Sequence, residues 1–429
     1  MSLTIAFFPE GAFGPTNNCV GIGNVLRERG HRVVFIIEES FAGTLEAQGF
    51  EERLMRLGPA PEVEEAPGQF WKDFVAENAP VFQTSTFDQL AGFIEPTFRA
   101  LADGARYVND RLTEIIEELD ADVIVEDNVI AFPALPASGR PWVRIVSCNP
   151  TEVEDPEIAP VFSGLPDADR SGWDGFRTEY ERVLAPVHDE FSAYCVEQGA
   201  PPLEPRSFMH ESPYLNIYAY PEEVDYARGR PLGPTWHNLD STIRSGDGAW
   251  EMPDQVAAGE GSLIYLSLGS LGSADVGLMQ GLIDTLNGTS HRVIVSMGPL
   301  HDQLTLGPRM AGAEFLPQTS ILPTVDLVIT HGGNNTVVES LHNGIPMIVL
   351  PLFWDQHDNA QRIEETGYGA RLSTYGHESD ELSATIDRLL ADQPMHERLG
   401  AISRRLKERD GVAGAAELIE GLAGPAGDG

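Results

Sequence analysis

Val325-Asp-Leu-Val-Ile-Thr-His331-Gly-Gly-Asn-Asn-Thr-Val-Val-Glu339 is the stretch that decides the fold of this 429-residue chain. Residues 325–330 form a short, β-branched apolar run bounded by turn signals, the pattern of a buried strand. Gly332 and Gly333 permit a tight turn and a close approach of backbone to ligand. From about Asn334 the apolar residues Val337, Val338 and Leu341 fall at helical spacing, and Gly344 is a helix stop. Strand, glycine turn and helix start together make an anion site, because the first N–H groups of a helix lack intrahelical partners. Asn335 and Thr336 add side-chain donors in the first turn, and His331 sits at the mouth. Glu339, one turn further, can accept from the vicinal hydroxyls of a ribose.

The flanks extend this chemistry. Upstream, Phe315-Leu-Pro-Gln318 offers an aromatic face and an amide suited to a base. Downstream, a second apolar run, Pro346 to Leu352, ends in Asp355-Gln356, a pair suited to a polyhydroxylated group. Base, diphosphate and sugar in that order are the parts of a nucleotide-sugar. Singly, Glu339 reads as a solvated helix residue, Phe315 as a core aromatic and His331 as a structural histidine. Their order and spacing argue for a site.

The run closely resembles the donor-binding signature of family 1 glycosyltransferases, the UDP-glycosyltransferase superfamily of GT-B fold, in its bacterial natural-product, macrolide-type form. The positions that carry the resemblance are Phe315, Pro317, Gln318, His331, Gly333, Asn335, Thr336, Glu339, Gly344, Pro346, Asp355, Gln356 and Asn359. Phe315 stands where the family has a base-stacking Trp, and Thr336 where it has Ser. The resemblance implies that Phe315 stacks the base and Gln318 helps fix it, and that Glu339 holds the ribose. It further implies that His331, Asn335 and Thr336 hold the diphosphate, and that Asp355 and Gln356 hold the sugar hydroxyls. The implied architecture is α/β: two Rossmann-like, doubly wound domains with an interdomain cleft.

The rest of the chain agrees with two α/β halves. Leu3 to Phe8 reads as a strand, Glu10 to Pro15 as a loop, Asn17 to Arg29 as a helix and Arg32 to Ile37 as a second strand, one βαβ unit. A helix at Leu112 to Leu119, strands at Asp122 to Val125 and Trp142 to Val146, and a helix at Glu179 to Glu197 follow. The pattern restarts at Ser262 to Ser267, with a Gly/Ser loop at residues 268–273 in which Ser270 and backbone N–H groups form a second phosphate cradle. These signals divide the chain into an acceptor-binding domain (1–222), a Gly/Pro-rich linker region (223–260), a donor-binding domain (261–400) and a C-terminal helix with a frayed tail (401–429). In the resembled family that helix packs back on the first domain.

Composition narrows the function classes. Twenty-eight basic against sixty-six acidic residues give a net charge of −38, which argues against nucleic-acid and anionic-membrane partners. No apolar run is long enough to span a bilayer, and the N-terminus reads as a strand and not as a signal peptide. Three scattered cysteines (Cys19, Cys148, Cys195) suggest neither a disulfide framework nor a zinc site, and the expected compartment is a reducing cytoplasm. No metal and no cofactor are expected. The helix N-terminus, His331 and hydroxyl donors would stabilise a leaving diphosphate, and the nucleotide-sugar is a co-substrate.

The acceptor side departs from the family. The resemblance implies a His base in the first βα loop, oriented by an Asp from a later strand end. Aligning outward from Gly30-His31-Arg32-Val33 puts Pro15 at the place of that His, and no His lies between Met1 and Arg29. Asp127, after a buried strand, matches the partner Asp; its alternative reading is a helix N-cap or a surface turn acid. Glu126 should point to the other face, and Glu10 lies in the first loop. Three accounts are open: Asp127 is the base; the acceptor needs little deprotonation; or the chain binds without turnover. Phe13, Phe70, Phe74 and Phe82 are candidates for an apolar acceptor pocket, with core packing as the alternative. The expectation is an inverting, metal-independent hexosyltransferase acting on a nucleotide-sugar, UDP favoured over dTDP, and a small, largely apolar acceptor such as a secondary metabolite. A catalytically silent homologue that activates a partner, and a nucleotide-sugar epimerase, are the alternatives. An NAD enzyme is disfavoured because no Gly-x-Gly-x-x-Gly opens a helix. The acceptor and the oligomeric state are not legible.

Overall fold

The structure, a computed structural model, describes residues 2–59, 77–244, 248, 250–257 and 259–422. Their strands form two parallel sheets. The first contains β1 (Thr4–Pro9), β2 (Arg32–Glu38), β3 (Glu51–Met55), β4 (Val123–Asp127), β5 (Trp142–Val146), β6 (Leu215–Tyr218) and β7 (Trp236–Asn238), in spatial order β3-β2-β1-β4-β5-β6-β7. The second contains β8 (Leu263–Ser267), β9 (Arg292–Ser296), β10 (Met310–Ala313), β11 (Leu327–Thr330), β12 (Met347–Val349) and β13 (Gly369–Arg371), in order β10-β9-β8-β11-β12-β13. Both are doubly wound. The order reverses between β1 and β4 in one sheet and between β8 and β11 in the other, and ligands of such sheets bind outside the strand ends at that reversal. Register brings Pro9 beside Asp127 in the first sheet and Ser267 beside Thr330 in the second. The residues that follow these four strand ends therefore face the cleft.

Helices cover both faces of each sheet, which is why strands such as β4 and β8 are buried at every position. Those used below are α1 (Phe13–Glu28), α2 (Glu95–Leu119), α3 (Trp173–Glu197), α4 (Val276–Asn287), α5 (Asn334–Asn343), α6 (Gln356–Glu365), α7 (Ser379–Ala391), α8 (Gln393–Lys407) and α9 (Gly411–Leu422). None of the described helices is long and apolar enough to cross a membrane.

Several elements differ from their sequence readings. The first helix begins at Phe13, not Asn17, so Pro15 lies in its first turn. A missing N–H costs nothing there, because first-turn amides have no intrahelical acceptor. Leu112 to Leu119 is the last third of α2, whose buried Phe98, Ala102, Ala105, Val108 and Leu112 keep helical spacing through the preceding aromatic segment. The helix read at Glu179 starts at Trp173 and runs through Pro186. The strand read from Val325 starts at Leu327, and just before it the Asp326 carboxylate accepts from the Leu263 amide at 2.8 Å. The Gly/Ser loop is a single helical turn, Gly269–Gly272, followed by α4, whose N-cap Asp275 accepts from the Leu278 amide at 3.0 Å.

The chain crosses back to the first sheet at its far end. Val412, Ala415, Ala416 and Ile419 of α9 are buried in one core with Cys19, Ile22 and Leu26 of α1; Val and Ile burial of this kind stabilises by about 1.5–3 kcal/mol per side chain. Glu420 accepts from Arg29 and meets His31 Nε2, both at 2.8 Å. Arg405 and Arg409 pair with buried Asp240 in the segment that links the sheets. Gly411 allows the close approach: a Cβ there would lie 1.9 Å from the Ser241 carbonyl oxygen. Gly411→Ala is expected to cost about 1–3 kcal/mol by overpacking, read as a lower urea midpoint. An unchanged midpoint would mean that α9 is not seated on residues 239–241.

Candidate active site

The loop after β11 turns at Gly332, with φ +93°, and enters α5. The N-cap Gly333 has no side chain to bond the first helical amides, which leaves them aimed at the cleft for an anion. His331 is wedged between two glycine turns. A Cβ at Gly333 would sit 2.7 Å from His331 Nε2, and one at Gly269, where φ is +68°, would sit 2.8 Å from Cε1. Burial pushes the imidazole down to about 4, against a hydrogen bond to the Ser267 backbone. The ring is therefore neutral near pH 7 and carries a single N–H. Ser270, on the adjacent helical turn, is half-buried.

Glu339 is only 3 % exposed. Its Oε2 accepts from Gln318 Nε2 at 2.6 Å and its Oε1 from Arg244 Nη1 at 3.1 Å. Gln318 Nε2 also reaches Thr336 Oγ1 at 3.2 Å, and its Oε1 accepts from the Tyr265 hydroxyl at 3.3 Å. The structure thus brings Gln318, Thr336 and Glu339 together and adds Tyr265 and Arg244, which the sequence reading missed. Neither has a local signal: Tyr265 lies within a plain apolar strand and Arg244 within the linker region. Phe315, 58 % exposed, presents a large apolar face just before Gln318.

The downstream acids are buried among protein partners. Gln356 Oε1 accepts from the Leu352 amide at 3.0 Å and so closes the loop in which Trp354 adopts φ +58°. Asp355 Oδ2 accepts from the Asn149 amide at 2.8 Å. Asn359 Oδ1 accepts from Asn149 Nδ2 at 2.8 Å and from the Tyr220 hydroxyl at 3.1 Å, while its Nδ2 donates to the Gly332 carbonyl at 2.9 Å. Asp358 takes the Phe162 and Gly164 amides at 2.7 and 2.8 Å. The Asp355–Asn359 segment therefore binds the N-terminal half, and the groups read from the sequence as sugar-binding, Asp355 and Gln356, are bonded to protein amides.

On the other wall Asp127 ends β4 and is 2 % exposed, which removes the surface-turn reading. Ser147 donates its hydroxyl to Asp127 Oδ2. Asn18 Nδ2 donates to Ser147 Oγ at 2.8 Å and to Asn335 Oδ1 at 3.1 Å. The carboxyl of Asp127 and the diphosphate loop are thus joined through two side chains. Burial pushes Asp127 up to about 8; the Ser147 hydrogen bond opposes this, and the Glu10 and Glu152 carboxylates add to it. Burial holds Glu10 at about 7, and its backbone N–H donates to the Asp127 carbonyl at 2.8 Å. Glu126 is buried opposite Arg144 in register, and burial raises it to about 8 against the pull of that Arg. Asn18, Ile145, Ser147, Thr242, Asn335 and Glu339 are among the residues that line the pocket between the two walls.

The aromatic candidates divide. Phe82 is buried, stacked on Phe353 with ring centres 4.8 Å apart and edge-on to Phe93 at 5.1 Å. It ties the acceptor-side segment to the loop before Asp355 and does not stand open to a pocket. Phe70, Phe74 and the Phe13 side chain lie outside the described residues.

Two outcomes follow from this geometry. Glu10, Glu126, Asp127, Glu152, Asp355 and Asp358 are all raised to about 7–8 by burial. Folded values above the unfolded ones add stability that is fully present below about pH 4 and is lost as pH rises through about 7–8. His331 has the opposite sign, and its contribution is lost as pH falls through about 4. The urea midpoint should fall between about pH 6 and about pH 8.5; a flat or rising midpoint would contradict the buried-carboxyl picture. Gly333→Ala should displace the His331 ring and weaken UDP or dTDP binding by about tenfold or more, measured by calorimetry.

Residues 242–410 match the family described as UDP-glucoronosyl and UDP-glucosyl transferase. Over 98 % of its length the chain is 23 % identical to the demethyllactenocin mycarosyltransferase of Streptomyces fradiae, covering 87 % of that protein. The fold is that of the glycosyltransferase of kitacinnamycin (TM-score 0.70, 20 % identity, 98 % of this chain and 99 % of that one). It is also that of the spinosyn rhamnosyltransferase SpnG complexed with thymidine diphosphate (TM-score 0.66, 17 % identity, 97 % and 100 %). The family match thus falls on the half that carries the strand, glycine turn and helix at the reversal point of the second sheet, and the chain as a whole is similar to glycosyltransferases in its two-sheet fold.

Proposed function

We propose that this glycosyltransferase moves a hexose, with inversion, from a nucleotide-sugar to a hydroxyl of a small, largely apolar acceptor, and that Asp127 is the base. The observation that carries this reading is the meeting of Asp127 with the diphosphate loop through Ser147, Asn18 and Asn335. The acceptor oxygen would attack the anomeric carbon as its proton passes to Asp127 and the nucleoside diphosphate leaves. A carboxylate is an inefficient base near neutral pH unless its pKa is lifted toward working pH, and burial of Asp127 supplies that lift. On the leaving side, the α5 N-terminus would receive the charge that develops on the diphosphate.

UDP is favoured as the nucleotide, because a 2′-hydroxyl gives Glu339 a partner that dTDP lacks. The relatives named for demethyllactenocin and spinosyn glycosyl transfer support the natural-product setting, and the thymidine diphosphate held by one neighbour keeps a dTDP-sugar as the competing donor.

Calorimetry with UDP, dTDP and NAD, with and without Mg²⁺, tests the donor side. Metal-independent binding of UDP ahead of dTDP is expected, and tighter dTDP binding would redirect the reading to deoxysugar donors. Glu339→Ala should weaken UDP more than dTDP; equal losses would remove the ribose argument. Asp127→Asn should lower turnover by about a hundredfold or more while leaving UDP affinity unchanged, and a surviving rate would unseat Asp127 as the base.

A further inference from the structure

The hydrogen bonds between Asp127 and Asn335 have a direction that is fixed from one end. The Gly14 carbonyl can only accept, so the Asn335 atom 3.1 Å from it is Nδ2. Asn335 Oδ1 therefore faces Asn18, and the Asn18 atom 3.1 Å from it is Nδ2. The same nitrogen lies 2.8 Å from Ser147 Oγ and has only hydrogens to offer, so Ser147 accepts there. The single hydroxyl proton of Ser147 then goes to Asp127 Oδ2. The Thr242 hydroxyl, 3.3 Å from Asn18 Oδ1, agrees with this orientation. A backbone carbonyl in the first helix thus sets, through three side chains, which way a hydroxyl points at a buried carboxyl, and the path runs through the donor loop.

We propose that Ser147 and Asn18 are positioning residues that tie the orientation of the Asp127 carboxylate to Asn335 in the donor loop. The consequence drawn for catalysis rests on the reading of Asp127 as base; the hydrogen-bond chain itself does not. A carboxylate that receives the Ser147 proton is stabilised in its charged form, so losing that donor moves its titration to higher pH. The other titratable groups acting on or influenced by Asp127 are Glu10, Cys19, Glu126, Cys148 and Glu152, and none is altered by the substitutions below.

The Asp127 carboxyl band can be isolated as the infrared difference between the wild-type protein and Asp127→Asn, and followed against pH. Ser147→Ala should raise its midpoint by about one pH unit, and Ser147→Thr, which keeps the hydroxyl, should return it. Asn18→Ala and Asn335→Ala should move it in the same direction by less. An unmoved midpoint in Ser147→Ala overturns the proposal. A shift in Ser147→Ala with none in Asn335→Ala overturns the link to the donor loop. If Ser147→Ala does not fold, Ser147→Cys, with a weaker donor of similar size, carries the same test with a smaller shift. Nucleotide release from UDP-glucose with a phenol acceptor, compared between wild type and Asp127→Asn, tests the base reading by itself, so the two readings can fail separately.

Discussion

Two parallel sheets that meet across a cleft at their carboxyl ends bury polar groups from both sides, and a buried polar group without a partner is costly. Here the partners lie across the cleft. The Asn149 amide answers Asp355, the Asn149 side chain answers Asn359, and the Phe162 and Gly164 amides answer Asp358. The segment from Asp355 to Asn359 is thereby a fastening between the two halves.

The same burial governs the acceptor wall. Burial raises Asp127, and the Ser147 hydroxyl pulls in the other direction. The balance leaves a carboxyl that can take a proton near neutral pH.

The strand, glycine turn and helix around His331 were legible in the sequence because they lie within some twenty residues and each has a local signature. The residues that complete the site have none. Asn18 and Asn335 are 317 positions apart, and Asn149 and Asn359 are 210 apart; pairs at such separation are set by topology alone. Short strands such as β7 and β13, three residues each, carry too few positions for a period to show. The start of α1 was hidden for a different reason. Gly and Pro normally punctuate loops, yet Pro15 is accommodated in a first helical turn, and only the packing of Thr16 and its neighbours beside β1 decides between the two. Phe82 illustrates a third limit. Periodicity identifies an apolar side chain, but not whether its ring meets a ligand or, as here, another ring.

The seating of α9 against α1 has a consequence for how the chain is made. The core shared by Ile22, Leu26, Ala415 and Ile419 joins segments translated almost four hundred residues apart. The first sheet leaves the ribosome with one flank uncovered, and it stays so while the whole second sheet is synthesised. During that interval the N-terminal half is an incomplete globule with exposed apolar surface, the kind of species that aggregates or calls on chaperones. The order of synthesis thus sets the order of risk, and a helix that emerges late is the one that covers this early-made core.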